Sequence, residues 1–525
     1  MKKDSMCVII CLLFVALLCV IPASTATQSL SLQSSQRQTA ISSVLHPQSI
    51  QDLDPLVDEI IVTVEITDIR SLERMQRHTR TFKTIDRFTK PDFYVKVFIN
   101  ENEFQSPVWR NQRYLYDLNW VASSVVPKDQ EFVFVRIELW DWNPGLNRRM
   151  DISRNINSFR DSFAAEMNYS VKTGTWWGDD YPEDPSGYGR LSGTDDRSVY
   201  SRENDCELWF NIYQNDYDGD GIPYWAEVYM YGTDPMVDDR GIDYSGDGIP
   251  IEWEHKWGIR YNDWRNEYYW VYHPFEYNDH YNLDPDNDGL SNYQEYLMSE
   301  WGSDPFRRDI FIDLGQMQAG PNGEQSILPE KSKELITTAF HSQNIVIYFD
   351  EGQMGGGQMI PFQESTSYED LQKIYRDYFL QGDEDNWRRG VFHYGLVVYN
   401  ASYHGFVFWG GVGPYLDAFQ ISSKEMERKS RRPWIKRDVA YASAYMHELG
   451  HTLAIFNSNT PGCDDQNSKF PWQRNYWIWG RYKSIMNYRY MYYMVDYSDG
   501  SRGKNDFNDW CNIDLTFFNT PLWDD

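Results

Sequence analysis

The chain has 525 residues, of which 41% are hydrophobic and 16% aromatic, and this composition excludes a mainly disordered protein. The length suits about three or four domains, each with its own core. There are 78 acidic residues against 49 basic ones, giving a formal net charge of -29, and such a surface repels phosphate backbones, so we expect no nucleic-acid partner.

The first 26 residues predict a secretory signal peptide. Lys2 and Lys3 precede an apolar stretch at 6–21, and small residues lead to Ala26, after which we expect cleavage. An uncleaved anchor is the alternative, although the stretch is shorter than the roughly 20 apolar residues of a spanning helix. We therefore expect a secreted protein, with cell-surface association left open. The Ser- and Gln-rich residues 27–57 predict a linker or a short pro-segment.

Residues 58–200 predict an all-β sandwich, because apolar side chains alternate along 60–69, 92–99 and 131–142. Within it, DFYVKV at 92–97 and ELWDWN at 138–143 resemble C2-type calcium- and phospholipid-binding sandwiches. That resemblance implies a calcium-dependent contact with a membrane or cell surface. It also implies a calcium site, for which ordinary surface turns are the alternative, at Asp92, Asp141, Asn143 and Asp151.

Residues 205–306 contain three segments that fit the twelve-residue calcium-loop template. Each has oxygen donors at positions 1, 3 and 5, a glycine at position 6 and an acid at position 12. The region is similar to the thrombospondin type-three-like calcium repeats of secreted proteins, which implies structural Ca²⁺; acidic solvated turns are the alternative. The predicted ligands are Asp216, Asp218, Asp220 and Glu227 in the first loop, Asp243, Ser245, Asp247 and Glu254 in the second, and Asp284, Asp286, Asp288 and Glu295 in the third.

Residues 307–525 alternate between strand and helix patterns, which predicts an α/β domain. The expected order is strand 307–317, helix 331–343, strand 344–354, helix 367–380, two strands within 391–400 and 405–422, a helix over 436–456 and a final strand at 509–518.

The sequence HELGH at 447–451 predicts a zinc site on the helix over 436–456. Positions i and i+4 lie on one face of a helix, so His447 and His451 would present two imidazole ligands, with Glu448 beside them as a general base. Imidazole nitrogen suits Zn²⁺, and a neighbouring carboxylate can take a proton from water.

The segment SIMNY at 484–488, following HELGH, resembles the methionine turn of the metzincin metalloproteases. The resemblance implies a catalytic Zn²⁺, a hydrophobic floor at Met486 and a role for Tyr488 at the metal or the oxyanion. It also implies that a peptide substrate lies along an edge strand above the metal. Where many metzincins place a turn glycine and the third zinc ligand, however, this chain has Ala454 and Asn457.

The third zinc ligand stays open at this point. No histidine follows His451 and no glutamate follows Glu448, so the candidates that remain downstream are Asn457, Cys463, Asp464, Asp465 and Asp496. A carboxylate is the best donor, which favours Asp464 or Asp465, then Asn457 and then Asp496. Nearby Cys463 could pair with Cys511 in a disulfide, leaving Cys206 as the odd thiol of the mature chain.

Together these features predict a secreted zinc metalloendopeptidase that hydrolyses a polypeptide substrate, with calcium-stabilised accessory domains. Two alternatives remain: a catalytically inactive, calcium-dependent surface-binding or adhesion protein, and a zinc amidase acting on cell-wall peptides. The altered residues at Ala454 and Asn457 favour the inactive alternative.

Overall fold

The computed structural model describes residues 52–72, 75–76, 81–82, 89–154, 163–184, 186–195, 204–401, 404–408 and 416–519. The predicted signal peptide and residues 27–51 of the predicted linker lie outside this range. Among the described residues, no helix combines the length and the apolar character needed to cross a bilayer.

The alternating segments at 60–142 form strands, as predicted, within two antiparallel sheets. The strands are β1 (Ile60–Ser71), β2 (Met75–Gln76), β3 (Thr81–Phe82), β4 (Phe93–Ile99), β5 (Asn102–Gln105), β6 (Tyr114–Leu115), β7 (Trp120–Val126), β8 (Phe132–Asp141), β9 (Arg148–Met150), β10 (Ala165–Ser170), β11 (Trp176–Gly178), β12 (Arg190–Ser192) and β13 (Cys206–Gln214). The first sheet has the order β12-β13-β1-β6, with β7 also paired to β1, and the second has the order β11-β10-β8-β4-β5, with β9 paired to β8, whereas β2 and β3 pair with each other.

The two sheets pack into a β-sandwich through their apolar faces. Val62 and Val64 of β1 are fully buried in the same core as Val95 of β4 and Val135 of β8, as alternation along a pleated strand requires. Strand β13 pairs along β1, with Val64 opposite Ile212. The sandwich therefore extends to residue 214, past the predicted boundary at 200.

The repeat region consists of loops followed by short helices. Its elements are α1 (Tyr224–Ala226), which continues as a π-helical turn (Glu227–Tyr231), α2 (Ile251–Gly258), the hairpin β14 (Ile259–Asn262) and β15 (Glu267–Trp270), α3 (Asn292–Leu297) and a 3-10 turn (Ser299–Trp301). Trp253, Trp257 and Tyr272 are buried in the core of the sandwich, so this region is packed against it.

The C-terminal region is built on a mainly parallel sheet of order β17-β16-β19-β21-β20, with β18 beside β16. Only β20 runs antiparallel to its neighbour in this described sheet. The elements are β16 (Asp309–Met317), α4 (Glu330–His341), β17 (Val346–Asp350), β18 (Met359–Ile360), α5 (Tyr368–Ile374) with a π-helical turn (Tyr375–Phe379), β19 (Phe392–Val398), β20 (Gly405–Phe408), β21 (Ala418–Ser422), α6 (Ser423–Ser430), α7 (Arg437–Thr452), β22 (Pro461–Asp464), a 3-10 turn (Gln466–Ser468), α8 (Arg474–Ile478), α9 (Asp509–Asn512) and a second 3-10 turn (Phe517–Asn519).

Helices cover both faces of this sheet, and its strand β16 is therefore buried along its whole length. Ile310, Ile312 and Leu314 share a core with residues of α4 and α7, whereas Phe311 shares the opposite core with Leu371 of α5. The result is a three-layer α/β arrangement in which α7 lies on the sheet beside β20 and β21.

Two sequence predictions for this region were wrong. Residues 405–422 form two strands rather than one, and residues 509–518 form α9 and a 3-10 turn rather than a strand. The local cause of the second error is a helix cap: the side chain of Asn508 accepts a hydrogen bond from the backbone N–H of Cys511 at 3.0 Å. Capping overrides the alternation of apolar residues that suggested a strand.

The sandwich contacts the C-terminal region through buried charges beside α4. Glu207 of β13 accepts hydrogen bonds from Arg190 at 2.7 Å and from Nδ1 of His341 at 2.7 Å, and Arg70 of β1 donates to Thr338 at 2.9 Å. Burial alone would raise the pKa of Glu207, but His341 and Arg190 outweigh it and hold this pKa well below its usual range.

Candidate metal centres

Helix α7 places His447 and His451 one turn apart on one face. Both are buried, with 1% and 8% of their surface exposed, and their ring centroids are 5.0 Å apart. The helix is lined with small and apolar residues such as Ala440, Ala444 and Leu449, which lets it lie directly on the sheet. This packing fixes where the two imidazoles point.

Each of these imidazoles is oriented by a backbone carbonyl. Nδ1 of His447 donates to the carbonyl of Ile485 at 2.9 Å, and Nδ1 of His451 donates to the carbonyl of Ile455 at 2.7 Å. Because Nδ1 carries the proton in each neutral ring, both Nε2 lone pairs remain available. This is the arrangement that orients histidine ligands in metal sites.

Asp464 completes the cluster. Its Oδ1 lies 3.1 Å from Nε2 of His447, and its Oδ2 lies 3.3 Å from Nε2 of His451. Two lone-pair nitrogens facing a carboxylate repel it unless a proton or a cation lies between them. With no cation, burial would lower the pKa of His447, but Asp464 and Glu448 raise it to about 9. A proton on His447 thus fills a position that a cation could take instead.

The other candidates for the third ligand lie elsewhere. The carboxylate of Asp465 accepts hydrogen bonds from the indole N–H of Trp479 at 2.9 Å and from the side-chain amide of Asn475 at 2.6 Å. Asn457 is exposed, and Asp496 accepts from the indole N–H of Trp510 at 3.2 Å. Of the four residues left open by the sequence, the structure groups Asp464 with the two histidines.

Glu448 lies beside the cluster without joining it. Its side chain is buried, and burial raises its pKa to about 7, opposed by the neighbouring His447. Strand β20 passes directly over it: a methyl carbon on Gly405 would lie 2.5 Å from Oε1 of Glu448. The glycine is therefore required for the strand to approach the carboxylate this closely.

The turn at 484–488 lies against α7. The ring of Tyr488 stacks on His447 with centroids 5.7 Å apart, and its hydroxyl donates to Asp464. Met486 is fully buried in the core that contains α7. Ala454, at the metzincin glycine position, adopts a φ of 65°, so the chain makes a left-handed turn there without glycine.

The first predicted calcium loop forms a cluster of carboxylates. Ligand oxygens of Asp216, Asp218 and Glu227 converge, as do those of Asp220, Glu227 and Asp239. Sequence reasoning missed Asp239, which lies outside the twelve-residue template. Oε2 of Glu227 and Oδ2 of Asp218 are buried with no hydrogen-bond partner in the described structure. Burial and nearby Asp220 raise the pKa of Glu227 to about 8.

The third loop is likewise an all-oxygen cluster, formed by Asp284, Asp286 and Asp288. Burial and the charge of Asp288 raise the pKa of Asp286 to about 10. Burial, together with the charges of Asp288 and Asp309, also raises the pKa of Glu295 well above its usual value. Asp309, the first residue of β16, was not predicted; its backbone N–H donates to Asp288 at 2.7 Å. The loop is thereby attached to the central sheet of the C-terminal region.

The second loop differs from the prediction. Asp247 and Glu254 converge with His280, a residue outside the template, whereas Asp243 is not in this cluster. The hydroxyl of Ser245 donates to Asp243 at 3.0 Å. The carboxylate of Asp243 instead accepts from the backbone N–H groups of Gly246 at 2.6 Å and Gly248 at 2.8 Å.

Three of the four residues expected at a calcium site in the sandwich lie next to one another. Asp92 accepts from the backbone of Asn111 at 2.7 Å, and Asp141 accepts from the backbone of Asp92 at 2.9 Å and from Asn143 at 2.6 Å. Among the described residues they are not part of a cluster of three or more acidic, histidine or cysteine ligands.

The disulfide expected between Cys463 and Cys511 is also not formed. Cys463 is a buried free thiol 3.6 Å from Oδ2 of Asp464, and Cys511 is exposed on α9. Two other histidines of this region have separate contacts: His393 forms a hydrogen bond with Thr452 at 2.9 Å, and His404 lies 3.1 Å from Glu425.

Comparison with protein families and with curated proteins finds no match for this chain. Solved structures similar to it include a C2 domain, 13% identical over 30% of this chain and 98% of that chain, with a TM-score of 0.18. A pair of C2 domains from Extended-Synaptotagmin 2 is 11% identical over 37% of this chain and 48% of that chain, with a TM-score of 0.18. A C2 domain of plant Extended Synaptotagmin 1 is 13% identical over 29% of this chain and 92% of that chain, with a TM-score of 0.17. These low values carry no argument for function.

Proposed function

We propose that this protein is a secreted zinc endopeptidase whose accessory regions are stabilised by Ca²⁺. The observation that supports it is the convergence of both Nε2 atoms and the Asp464 carboxylate, with Glu448 beside them. Two nitrogens and one oxygen are the donor set of catalytic zinc sites, which keep a further position open. His447, His451 and Asp464 would hold Zn²⁺ there, and the ion would supply a Lewis acid that polarises a carbonyl and lowers the pKa of water.

Glu448 is placed to move the proton. It is buried, so its carboxylate is poorly solvated and has a pKa of about 7, close to the value that suits a general base at neutral pH. After accepting a proton from the attacking water, it can return that proton to the leaving amine. The Tyr488 hydroxyl donates to Asp464 in this structure, and it would donate to the oxyanion that forms on the scissile carbonyl only after that hydrogen bond is released.

Strand β20 is the feature that favours an extended peptide as substrate. It is the last strand of the sheet within the described residues, and its Gly405 lies against Glu448. A peptide that added to this edge by main-chain hydrogen bonds would bring an amide bond next to the proposed base. The resemblance to metzincins, stated above from HELGH and SIMNY, is consistent with this placement.

The first and third loops fit structural Ca²⁺, because buried carboxylate oxygens such as Oε2 of Glu227 and Oδ2 of Asp286 have no protein donor there. The sandwich carries a second proposal, a calcium-dependent contact with a membrane. We keep that contact as a proposal, to be tested by sedimentation with anionic vesicles with and without Ca²⁺.

The replacement Glu448→Gln tests the endopeptidase proposal. The amide cannot accept the proton, so we expect casein hydrolysis to fall by about 100- to 10,000-fold while zinc content is unchanged. Glu369→Gln, at an exposed position of α5, is the matched control. Activity retained by Glu448→Gln would reject this mechanism, and zinc binding without casein hydrolysis in the wild type would favour an inactive binding protein. Hydrolysis of cell-wall peptides without hydrolysis of casein would support the zinc amidase alternative.

A further inference from the structure

His280 distinguishes the second loop from the other two. Its Nε2 lies 3.4 Å from Oε1 of Glu254 and 3.6 Å from Oδ2 of Asp247, and all three side chains are fully buried. The first and third loops bring together only carboxylates. We propose that the second loop binds a transition-metal ion such as Zn²⁺ rather than Ca²⁺, with His280, Asp247 and Glu254 as its ligands.

The separations fit a small ion. Two ligand atoms that are each about 2.1 Å from Zn²⁺ at a tetrahedral angle lie about 3.4 Å apart. The two observed distances from Nε2 of His280 are 3.4 and 3.6 Å. Oε2 of Glu254 is buried and has no hydrogen-bond partner in the described structure, so this carboxylate has coordinating capacity left.

The chemistry of the donors also disfavours Ca²⁺. Ca²⁺ takes six to eight oxygen ligands, whereas imidazole suits zinc and other first-row transition metals. The cluster around His280 contains two carboxylates, and Asp243 of the template is not part of it. The imidazole of His280 therefore takes a coordination position that Ca²⁺ fills with oxygen.

The surroundings hold the His280 ring in one orientation. Trp253 contacts it edge-on with centroids 5.6 Å apart, and Tyr272 does so at 4.9 Å. The side-chain amide of Asn292 lies 3.0 Å from Nδ1, and its Oδ1 is buried without a partner. Turning this amide over gives the Nδ1 proton an acceptor and leaves the Nε2 lone pair facing Glu254.

This ion would join two parts of the repeat region. Asp247 and Glu254 belong to the second loop, while His280 precedes the third loop, in which Asn292 lies at the start of α3. A metal at this position therefore cross-links the second loop to the segment that begins the third. Such a link has a structural role that does not depend on the proposed peptidase activity.

The test measures the zinc content per chain of the full-length protein and its variants. Each is dialysed against the same low concentration of Zn²⁺ with millimolar Ca²⁺ present. We expect about two equivalents of zinc in the wild type, and about one in each of His280→Gln and His447→Ala, and none in the double variant. His273→Gln, a half-buried histidine of the same region, should keep both ions. Because each site has its own variant, failure of one assignment is distinguishable from failure of the other.

Stability gives a second readout for the same variants. We expect His280→Gln to lower the Tm relative to wild type when Zn²⁺ is present and to have a smaller effect in a chelator. If His280→Gln does not fold, the same count on Glu254→Gln replaces it. Full zinc content in these variants, or loss of the second equivalent as Ca²⁺ is raised in the wild type, would overturn the proposal.

Discussion

Gly450 and Met486 are in contact beneath the candidate zinc site. A methyl carbon added to Gly450 would lie 2.9 Å from Sδ of Met486 and 2.8 Å from the hydroxyl oxygen of Tyr497. Gly450 lies between the two histidines of HELGH, so the absence of a side chain there lets the turn at 484–488 approach the helix. The carbonyl of Ile485 in that turn is what orients His447.

This contact predicts the effect of Gly450→Ala. At an open helical position the change would stabilise the protein by up to about 1 kcal/mol, because alanine is the better helix former. Here the added methyl overpacks the core, and we expect a net loss of about 1–3 kcal/mol together with weaker zinc binding. Thermal unfolding of the wild type and of Gly450→Ala measures this loss of stability. A higher Tm for the variant would contradict the packing described.

Asp464→Ala and Asp465→Ala form a matched pair, because adjacent carboxylates have different partners. Loss of Asp464 removes a proposed ligand, and we expect zinc affinity to fall by more than the roughly 10- to 100-fold typical of losing an outer-shell partner. Loss of Asp465 removes contacts with Trp479 and Asn475 and should leave zinc bound. Competition with a chromophoric chelator measures both affinities; equal affinities would reject Asp464 as the third ligand.

The calcium loops predict that the stability of the protein depends on pH without Ca²⁺ and loses this dependence when Ca²⁺ is bound. In the ion-free protein, burial and Asp220 raise the pKa of Glu227 to about 8, above about 4.3 for an unfolded glutamate. The contribution of this protonated acid to stability is therefore complete below pH about 4.3 and is lost as the pH rises through about 8. We expect the Tm in a chelator to fall between pH 5 and about 8.5 for this reason.

Saturating Ca²⁺ should remove that fall, since the ion replaces the proton. At a free concentration of 100 times Kd, each site adds about 2.7 kcal/mol. The gain in Tm from Ca²⁺ should thus increase with pH, and Glu227→Gln should reduce it, whereas Glu276→Gln at an exposed position should not. Parallel Tm curves with and without Ca²⁺ would contradict the calcium assignment.

Local patterns in the sequence were sufficient for much of the fold. Alternating apolar residues identified β1, β4 and β8, and helical periodicity identified α4 and α7. Both signals arise from neighbours within one element, which is why they can be read without tertiary contacts. The same patterns failed at 509–518, where the Asn508 cap decides the conformation. They also could not assign β13 to the sandwich, because β13 pairs with a strand that is distant in the sequence, as Val64 opposite Ile212 shows.

The candidate sites divide in the same way. The HELGH segment alone was sufficient to place His447 and His451 on one face, because residues i and i+4 of a helix lie on the same face. The sequence left the third ligand open, since selection of Asp464 depends on the left-handed turns at Ala454, with φ of 65°, and at Asp464 itself, with φ of 54°. Asp239, His280 and Asp309 were missed because each reaches its cluster from outside the loop template.

The most direct test of the account is an anomalous difference map from crystals of the zinc-loaded protein, collected at the zinc absorption edge. We expect a peak about 2.0–2.2 Å from Nε2 of His447, Nε2 of His451 and one carboxylate oxygen of Asp464, with Glu448 close by but not coordinating. A map with no peak between these three side chains would contradict the proposed zinc centre and the peptidase function that depends on it.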